Sequence, residues 1–164
     1  MEKTPKCHPS ILFGSFLGIG FVKPAPGTLG SLATLPLLYF CFLYFGTFSL
    51  WLITIIASIG TILAAPVFVK YYGKDPSAMV SDEVAGQALP FAILASYGYG
   101  SLSASNLLIL IIAGFILFRF FDILKPLGIN RIQNWQGGWG ILADDLLAGL
   151  YTFFLLKIVI LAIL

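Results

Sequence analysis

The chain has 164 residues, of which 59% are hydrophobic and 10% are charged, and its formal net charge is +2. Soluble domains carry about 25% charged residues, so this composition argues against a soluble protein and against disorder, and it indicates an integral membrane protein. The nine lysines and arginines are spread thinly, which argues against nucleic-acid binding.

Five apolar runs predict helices in chain order. They cover residues 29–45, 48–69, 84–97, 107–121 and 146–164. A helix needs about 20 residues to cross about 30 Å of hydrocarbon. The second and last runs have this length, and the first and fourth reach it with their flanking residues.

The third run is shorter and contains Pro90, so we expect it to be kinked, re-entrant or buried among the other helices. The fold class predicted from the five runs is all-α. We expect a polytopic membrane helical bundle with four to five membrane helices, formed by a single domain over residues 1–164.

Basic residues are confined to alternate connections between the runs. Eight of the nine fall in three segments, and the connections around Gly46 and from Ser96 to Asn106 have no charge. If all five runs cross, the charged segments share one side, which the positive-inside rule makes cytoplasmic. Lys157 is the exception, and we expect its side chain to extend outward along the last helix.

Apart from Glu2, the carboxylates lie in these same charged segments. They are Asp75, Asp82, Glu83, Asp122, Asp144 and Asp145. A carboxylate at the end of an apolar helix is costly to bury without a partner. Mg²⁺ is a natural partner, since it takes oxygen ligands and often a substrate phosphate. Helix capping is the competing explanation, above all for Asp75, which precedes a proline.

The segment before the first long helix could bind an anion. Two prolines favour an extended approach, Gly27 permits a tight turn, and Thr28 or Ser31 can cap the helix. Free amides at a helix N-terminus, with the charge of Lys23 nearby, suit a phosphate. A plain capped turn is the more common meaning of this pattern.

Two predicted helix starts repeat a carboxylate followed by glycine four residues later. Asp82 and Gly86 form one pair, and Asp145 and Gly149 form the other. A flexible glycine-rich loop, residues 137–140, is expected before the second of these helices. Because glycine lets another backbone come close, the repeat predicts close helix packing around an acidic centre.

The end of the fourth run places three charged residues at intervals of three. Arg119, Asp122 and Lys125 would line one helix face, and Pro126 would end the helix. An Arg and a Lys beside an Asp suit a phosphate and its metal. A salt-bridged trio is the alternative.

At these four motifs the chain resembles the phosphatidylglycerophosphatase A family. The matching stretches are residues 26–31, 82–87, 118–126 and 137–149, and they occur in family order. The resemblance implies a hydrolase of the bacterial inner membrane that uses Mg²⁺ and faces the cytoplasm. It would convert phosphatidylglycerophosphate to phosphatidylglycerol and phosphate. Leu127 and Gly128 stand where the family often has an aromatic residue and a second proline.

The site residues expected from the motifs and the resemblance form three sets. The catalytic residues are Asp82, Asp122, Lys125 and Asp145. The Mg²⁺ ligands are Asp82, Glu83, Asp122, Asp144 and Asp145. The substrate phosphate is expected on Lys23, Gly27, Thr28, Gly30 and Arg119. The partners are the phospholipid substrate and the membrane, and no obligatory protein partner is expected.

Two mechanisms remain open for such a phosphatase. Attack by a metal-activated water is the first choice, and an aspartyl-phosphate intermediate is the rival. His8 is the single histidine and lies in the polar N-terminus, so a Ser–His–Asp arrangement is not expected.

Two other classes of protein compete with the phosphatase. A small membrane transporter could use intramembrane carboxylates to carry protons or ions, although these carboxylates cluster at helix ends rather than at the midplane. A structural membrane subunit is the other alternative, although it would not need six carboxylates at one face.

Overall fold

A computed structural model describes residues 8–74, 76–98, 102–133, 135 and 137–163, without the side chains of residues 162 and 163. Asp75 lies outside the described residues. The described part is helical, with α1 Pro9–Gly14, α2 Pro26–Tyr72, α3 Ser81–Ser96, α4 Ala104–Leu124, α5 Ile129–Ile132 and α6 Gly138–Ile163, and a short 3-10 turn at Ile19–Phe21. It contains no strand, which confirms the predicted all-α class.

The long helix α2 consists of two limbs, residues 26–45 and 47–72, that meet at Gly46. The backbone of Gly46 (φ 66°, ψ −159°) is not helical, and glycine adopts such angles readily because it has no Cβ. The two limbs correspond to the first two predicted apolar runs.

The two limbs of α2 return to the same level of the bundle. Gly30 on the first limb packs against the side chain of Val80. Thr61 on the second limb forms a 2.7 Å hydrogen bond with Ser81. A straight helix would separate residues 30 and 61 by about 46 Å, so the limbs form a hairpin with Gly46 at its tip.

The short helix α3 is enclosed by its neighbours. Of its 16 residues, 12 are buried, and it packs mainly between α2 and α6. Phe91 and Leu94 are fully buried in the main core, with Leu38 and Leu50 from the two limbs of α2 and Leu156 from α6. Of the three possibilities for the third run, the structure shows burial among the other helices.

Helices α3 and α6 cross with their backbones in contact. A Cβ atom on Gly86 would lie 2.6 Å from the carbonyl oxygen of Asp145, and a Cβ atom on Gly149 would collide with the carbonyl oxygen of Gly86. This confirms the close packing predicted from the repeated spacing of carboxylate and glycine.

The glycine-rich segment before the last apolar run is not the flexible loop that the sequence suggested. Helix α6 begins at Gly138, so Asp144 and Asp145 lie about two turns inside it. A Cβ atom on Gly138 would lie 2.9 Å from the side chain of Ala65. The small residue lets the start of α6 approach α2, and this tertiary contact outweighs the low helix propensity of glycine.

Two described helices, α2 and α4, are long and apolar enough to cross a membrane. Large apolar side chains such as Phe45, Phe48, Leu63 and Ile116 are exposed, and exposed apolar side chains in this number favour a nonaqueous environment. The number of crossings remains a prediction.

The end of the bundle near Gly46 is rich in aromatic residues. The indole Nε1 of Trp51 donates a 2.9 Å hydrogen bond to Ser96 Oγ. Lys157 Nζ lies 5.1 Å from the ring centroid of Tyr97 and 5.6 Å from that of Phe153. The lone charge of the last apolar run is therefore held over aromatic faces.

Candidate functional site

The predicted carboxylates meet in one cavity of about 270 Å³. It lies between the start of α3, the first two turns of α6 and the end of α4. The charged residues that line it are Lys74, Asp82, Glu83, Asp122, Lys125, Asp144 and Asp145. All five predicted metal ligands therefore share one cavity, although they come from three separate helices.

Three of these carboxylates form a compact cluster. Asp82, Glu83 and Asp145 each offer an oxygen atom, and the three atoms lie within 4.8 Å of one another. The exposed fractions of Asp82 and Asp145 are only 7% and 4%. Buried like charges at this separation repel one another, so the cluster needs protons or a cation to balance it.

The cluster fits a hard divalent metal ion. Its ligand atoms are all oxygens, which is the set that Mg²⁺ prefers. Asp82 Oδ1 and Glu83 Oε2 are buried and have no hydrogen-bond partner among the described residues. Unpartnered buried polar atoms call for an explanation, and coordination of a metal ion provides one.

Arg119 and Asp122 form an ion pair at the end of α4. Arg119 Nη1 lies 2.5 Å from Asp122 Oδ2, and both side chains are largely buried. The Asp122 carboxylate, which lines the cavity, therefore holds the guanidinium beside it. Arginine has five N–H donors, and Arg119 Nε is buried without a partner among the described residues.

Lys125 pairs with α6 rather than with its own helix. It follows the last residue of α4 in a left-handed conformation (φ 45°), and its Nζ lies 2.6 Å from Asp144 Oδ2. The expected trio on one helix face is therefore wrong for Lys125, because the helix ends before it. Pro126 follows at the predicted stop.

The surroundings of Lys125 keep its ammonium charged. Partial burial lowers the pKa of this group. The hydrogen bond to Asp144 and the charges of the nearby carboxylates outweigh that effect and raise the pKa above its usual value. The cavity thus holds a positively charged ammonium beside its acidic cluster.

The first turn of α2 lies against the same groups. A Cβ atom on Gly27 would collide with Glu83 Oε1 and would lie 3.4 Å from Arg119 Nη1. Helix α2 starts at Pro26, and no side chain caps it, so the predicted capping by Thr28 or Ser31 is wrong. Gly27 brings a helix N-terminus, which favours anions, next to the acidic cluster and Arg119.

Three predicted phosphate-binding residues are placed elsewhere. Lys23 is exposed, Thr28 is half-buried, and Gly30 is buried against Val80. The described residues that line the cavity include none of these three. Gly27 and Arg119 do not line the cavity either, but Gly27 lies against Glu83 and Arg119 is paired with Asp122, and both of these carboxylates line it.

Lys74 and Gln87 are among the polar residues at or near the site that were not assigned a role from the sequence. Lys74 lines the cavity, and its basic charge was the only sequence signal. Gln87 is fully buried, and neither of its amide atoms has a partner among the described residues. Its spacing of four residues from Glu83 was the signal that could have found it.

Comparison with known proteins relates the chain to a family. The family model for phosphatidylglycerophosphatase A matches residues 12–160. A Haemophilus influenzae protein named phosphatidylglycerophosphatase A is 32% identical over 93% of the chain and 89% of its own length. An Escherichia coli protein of the same name is 30% identical over 88% of the chain and 80% of its own length.

A third relative carries a different name. A Bacteroides thetaiotaomicron protein named "Putative phosphatidylinositol-3-phosphatase" is 36% identical over 95% of the chain and 96% of its own length. No solved structure matches the chain.

Proposed function

The chain belongs to the phosphatidylglycerophosphatase A family, and on this premise we propose that it releases the terminal phosphate of phosphatidylglycerophosphate at the acidic cavity, with Mg²⁺ as cofactor. The family and its named relatives make the protein a phosphatase. The metal, the residues of the site and the side of the membrane are what the proposal adds.

One observation carries the assignment of the site. Three clustered carboxylates line the same cavity as Lys125, which is paired with Asp144, and Arg119 is paired with Asp122, another residue of the lining. Phosphoryl transfer is catalysed mainly by positioning and by stabilising charge on the phosphoryl oxygens. A site that combines a metal-binding cluster with fixed cations provides both.

Each carboxylate has a role in this proposal. Asp82, Glu83 and Asp145 would hold Mg²⁺, which when bound polarises a phosphoryl oxygen and promotes attack by water. Asp122 and Asp144 keep Arg119 and Lys125 in place through their ion pairs. This division of roles favours positioning over metal binding for Asp122 and Asp144.

The two cations would bind the oxygens of the substrate phosphate. Arg119 retains a buried Nε that has no partner among the described residues. Lys125 has three N–H donors, and one is directed to Asp144. The first turn of α2 at Gly27 adds a positive helix end beside Arg119. These groups neutralise the phosphate where charge develops during transfer.

The membrane location follows from charge and apolarity. The protein would cross the bacterial inner membrane several times, with the cavity facing the cytoplasm. Support comes from the apolar helices α2 and α4 and from the positive charges in the segments at the cavity end. A lipid head group lies at the membrane interface, where a cavity at the ends of membrane helices would meet it.

The direct test is phosphate release from phosphatidylglycerophosphate by detergent-purified protein. We expect turnover with Mg²⁺ and a loss of turnover with excess EDTA that added Mg²⁺ restores. Phosphatidylinositol 3-phosphate is assayed in parallel, because one relative carries that substrate in its name. Absence of turnover on both lipids, with ion or proton flux in proteoliposomes, would instead support the transporter, which the family match does not favour.

A further inference from the structure

Lys74 is a cavity-lining cation that the catalytic arrangement leaves unused. It follows Gly73, whose positive φ of 95° ends α2 at Tyr72 and turns the chain. Its side chain is exposed, and it has no ion-pair or hydrogen-bond partner among the described residues. Lys74 therefore has an available charge at the solvent-facing side of the cavity.

The other two cations near the cluster differ from Lys74. Arg119 and Lys125 are partly buried, and each is held by a carboxylate at 2.5 or 2.6 Å. They serve the reacting phosphate next to the metal-binding cluster. An anionic group farther from the cluster would have to be bound by a cation closer to the opening.

The substrate has such a second anionic group. Its terminal phosphate is a monoester, and a phosphodiester connects the rest of the head group to diacylglycerol. Ligand pockets are usually about 300–1,000 Å³, so a cavity of about 270 Å³ suits a head group without its acyl chains. With the monoester at the cluster and the chains outside, the phosphodiester lies towards the opening.

We infer that Lys74 binds the phosphodiester of the lipid head group and thereby selects substrates that carry two phosphates. The inference rests on the proposed function and assigns it a specificity-determining residue. Phosphatidylglycerophosphate and phosphatidylinositol 3-phosphate both have this phosphodiester. Lys74 would therefore serve either lipid.

A lysine at this place could instead only raise the local positive potential. Lys70 allows the two explanations to be separated. It lies in the last turn of α2, its Nζ is 5.1 Å from the ring centroid of Tyr71, and it is not among the described residues that line the cavity. Lys70→Ala removes the same charge from the same region, so it is the matched control.

The experiment compares Lys74→Ala, Lys74→Arg and Lys70→Ala in mixed micelles with the lipid that the wild-type protein hydrolyses. We expect Lys74→Ala to raise KM by about tenfold, the effect of losing one charge-assisted hydrogen bond, with kcat changed by less than about twofold. Lys74→Arg should recover most of the affinity. The inhibition constant of inorganic phosphate, which lacks the diester, should remain at the wild-type value.

Three results would overturn the inference. They are an unchanged KM in Lys74→Ala, an equal rise in Lys70→Ala, and a comparable rise in the inhibition constant of inorganic phosphate. The last would place Lys74 on the reacting phosphate. Absence of wild-type turnover on either lipid is a separate result, because it contradicts the proposed function before any variant is compared.

Discussion

Gly86 on α3 and Asp145 on α6 are in backbone contact, and a Cβ atom on Gly86 would lie 2.6 Å from the Asp145 carbonyl oxygen. Asp82 lies one turn before Gly86 on the same helix. The separation of α3 and α6 therefore sets the separation of two carboxylates in the acidic cluster, so helix packing and the geometry of the cluster depend on the same contact.

Gly86→Ala should impair both stability and activity. The added methyl group meets a backbone that cannot rotate away, and such overpacking costs about 1–3 kcal/mol. We expect a lower midpoint of thermal unfolding in detergent and a loss of phosphate release of at least about tenfold, since small displacements at a catalytic centre are costly. Ile116→Ala, on the exposed face of α4, is the control and should change neither quantity appreciably.

Asp82→Asn and Asp145→Asn should nearly abolish catalysis while the protein stays folded. Each change keeps the shape of the side chain and removes a charged ligand from the cluster. We expect turnover to fall by about a hundredfold or more, a loss of transition-state stabilisation of about 3 kcal/mol. Asp75→Asn is the matched change at another acidic residue and should be milder. Near wild-type turnover in both severe variants would contradict a carboxylate-bound metal.

The ion pair between Arg119 and Asp122 predicts different metal dependences for two aspartates. Asp122→Asn should lower kcat, because the guanidinium is no longer fixed, and should leave the Mg²⁺ concentration for half-activity unchanged. Asp145→Asn should raise that concentration. The measurement is phosphate release against Mg²⁺, with Arg119→Ala in the same series. An equal rise in Asp122→Asn would make Asp122 a metal ligand, as the sequence first suggested.

Lys125→Arg should remain impaired although it keeps the positive charge. The planar guanidinium of arginine is larger and less compact than an ammonium, and Lys125 Nζ fits within 2.6 Å of Asp144 Oδ2. We expect turnover to fall about tenfold or more, as for other misplaced catalytic groups, with the Mg²⁺ midpoint unchanged. Full activity of Lys125→Arg would show that the site needs only charge at this position.

Sequence spacing predicted which carboxylates lie together better than it predicted how the charged residues pair. The repeat of carboxylate and glycine identified the α3–α6 crossing, because glycine at a fixed interval has a direct steric meaning. The pairing of Lys125 with Asp144 was missed because the sequence argument placed Lys125 on one face of α4. The helix ends just before Lys125, and its left-handed backbone directs the side chain away from that face. Such a turn depends on contacts with α6 that lie far away in sequence.

At the glycine-rich start of α6, the sequence predicted a loop where the structure has a helix. Local propensity predicts a loop at residues 137–140, whereas Gly138 is helical and packs on α2. Tertiary packing decides the outcome there. The uncharged connection around Gly46 indicated where the first two apolar runs are separated. The hairpin itself was not predicted, because it depends on the non-helical backbone of Gly46.

Cysteine labelling of whole cells tests the orientation. Helix α4 has 21 residues, or about 31 Å, and this matches the hydrocarbon thickness of about 30 Å. Its two ends should therefore lie on opposite sides of the membrane. Leu127, next to Lys125 at the cavity end, and Ser103, which caps the start of α4, are both exposed.

The labelling uses Leu127→Cys and Ser103→Cys in a background with Cys7→Ser and Cys41→Ser, and an impermeant thiol reagent outside intact cells. We expect Ser103→Cys to react and Leu127→Cys to react only after the cells are permeabilised, because the positive-inside rule places the cavity end in the cytoplasm. The reverse pattern would invert the orientation and place the phosphatase site outside. Labelling of both positions from outside would mean that α4 does not cross the membrane, so the charge pattern would then reflect only the chemistry of the site.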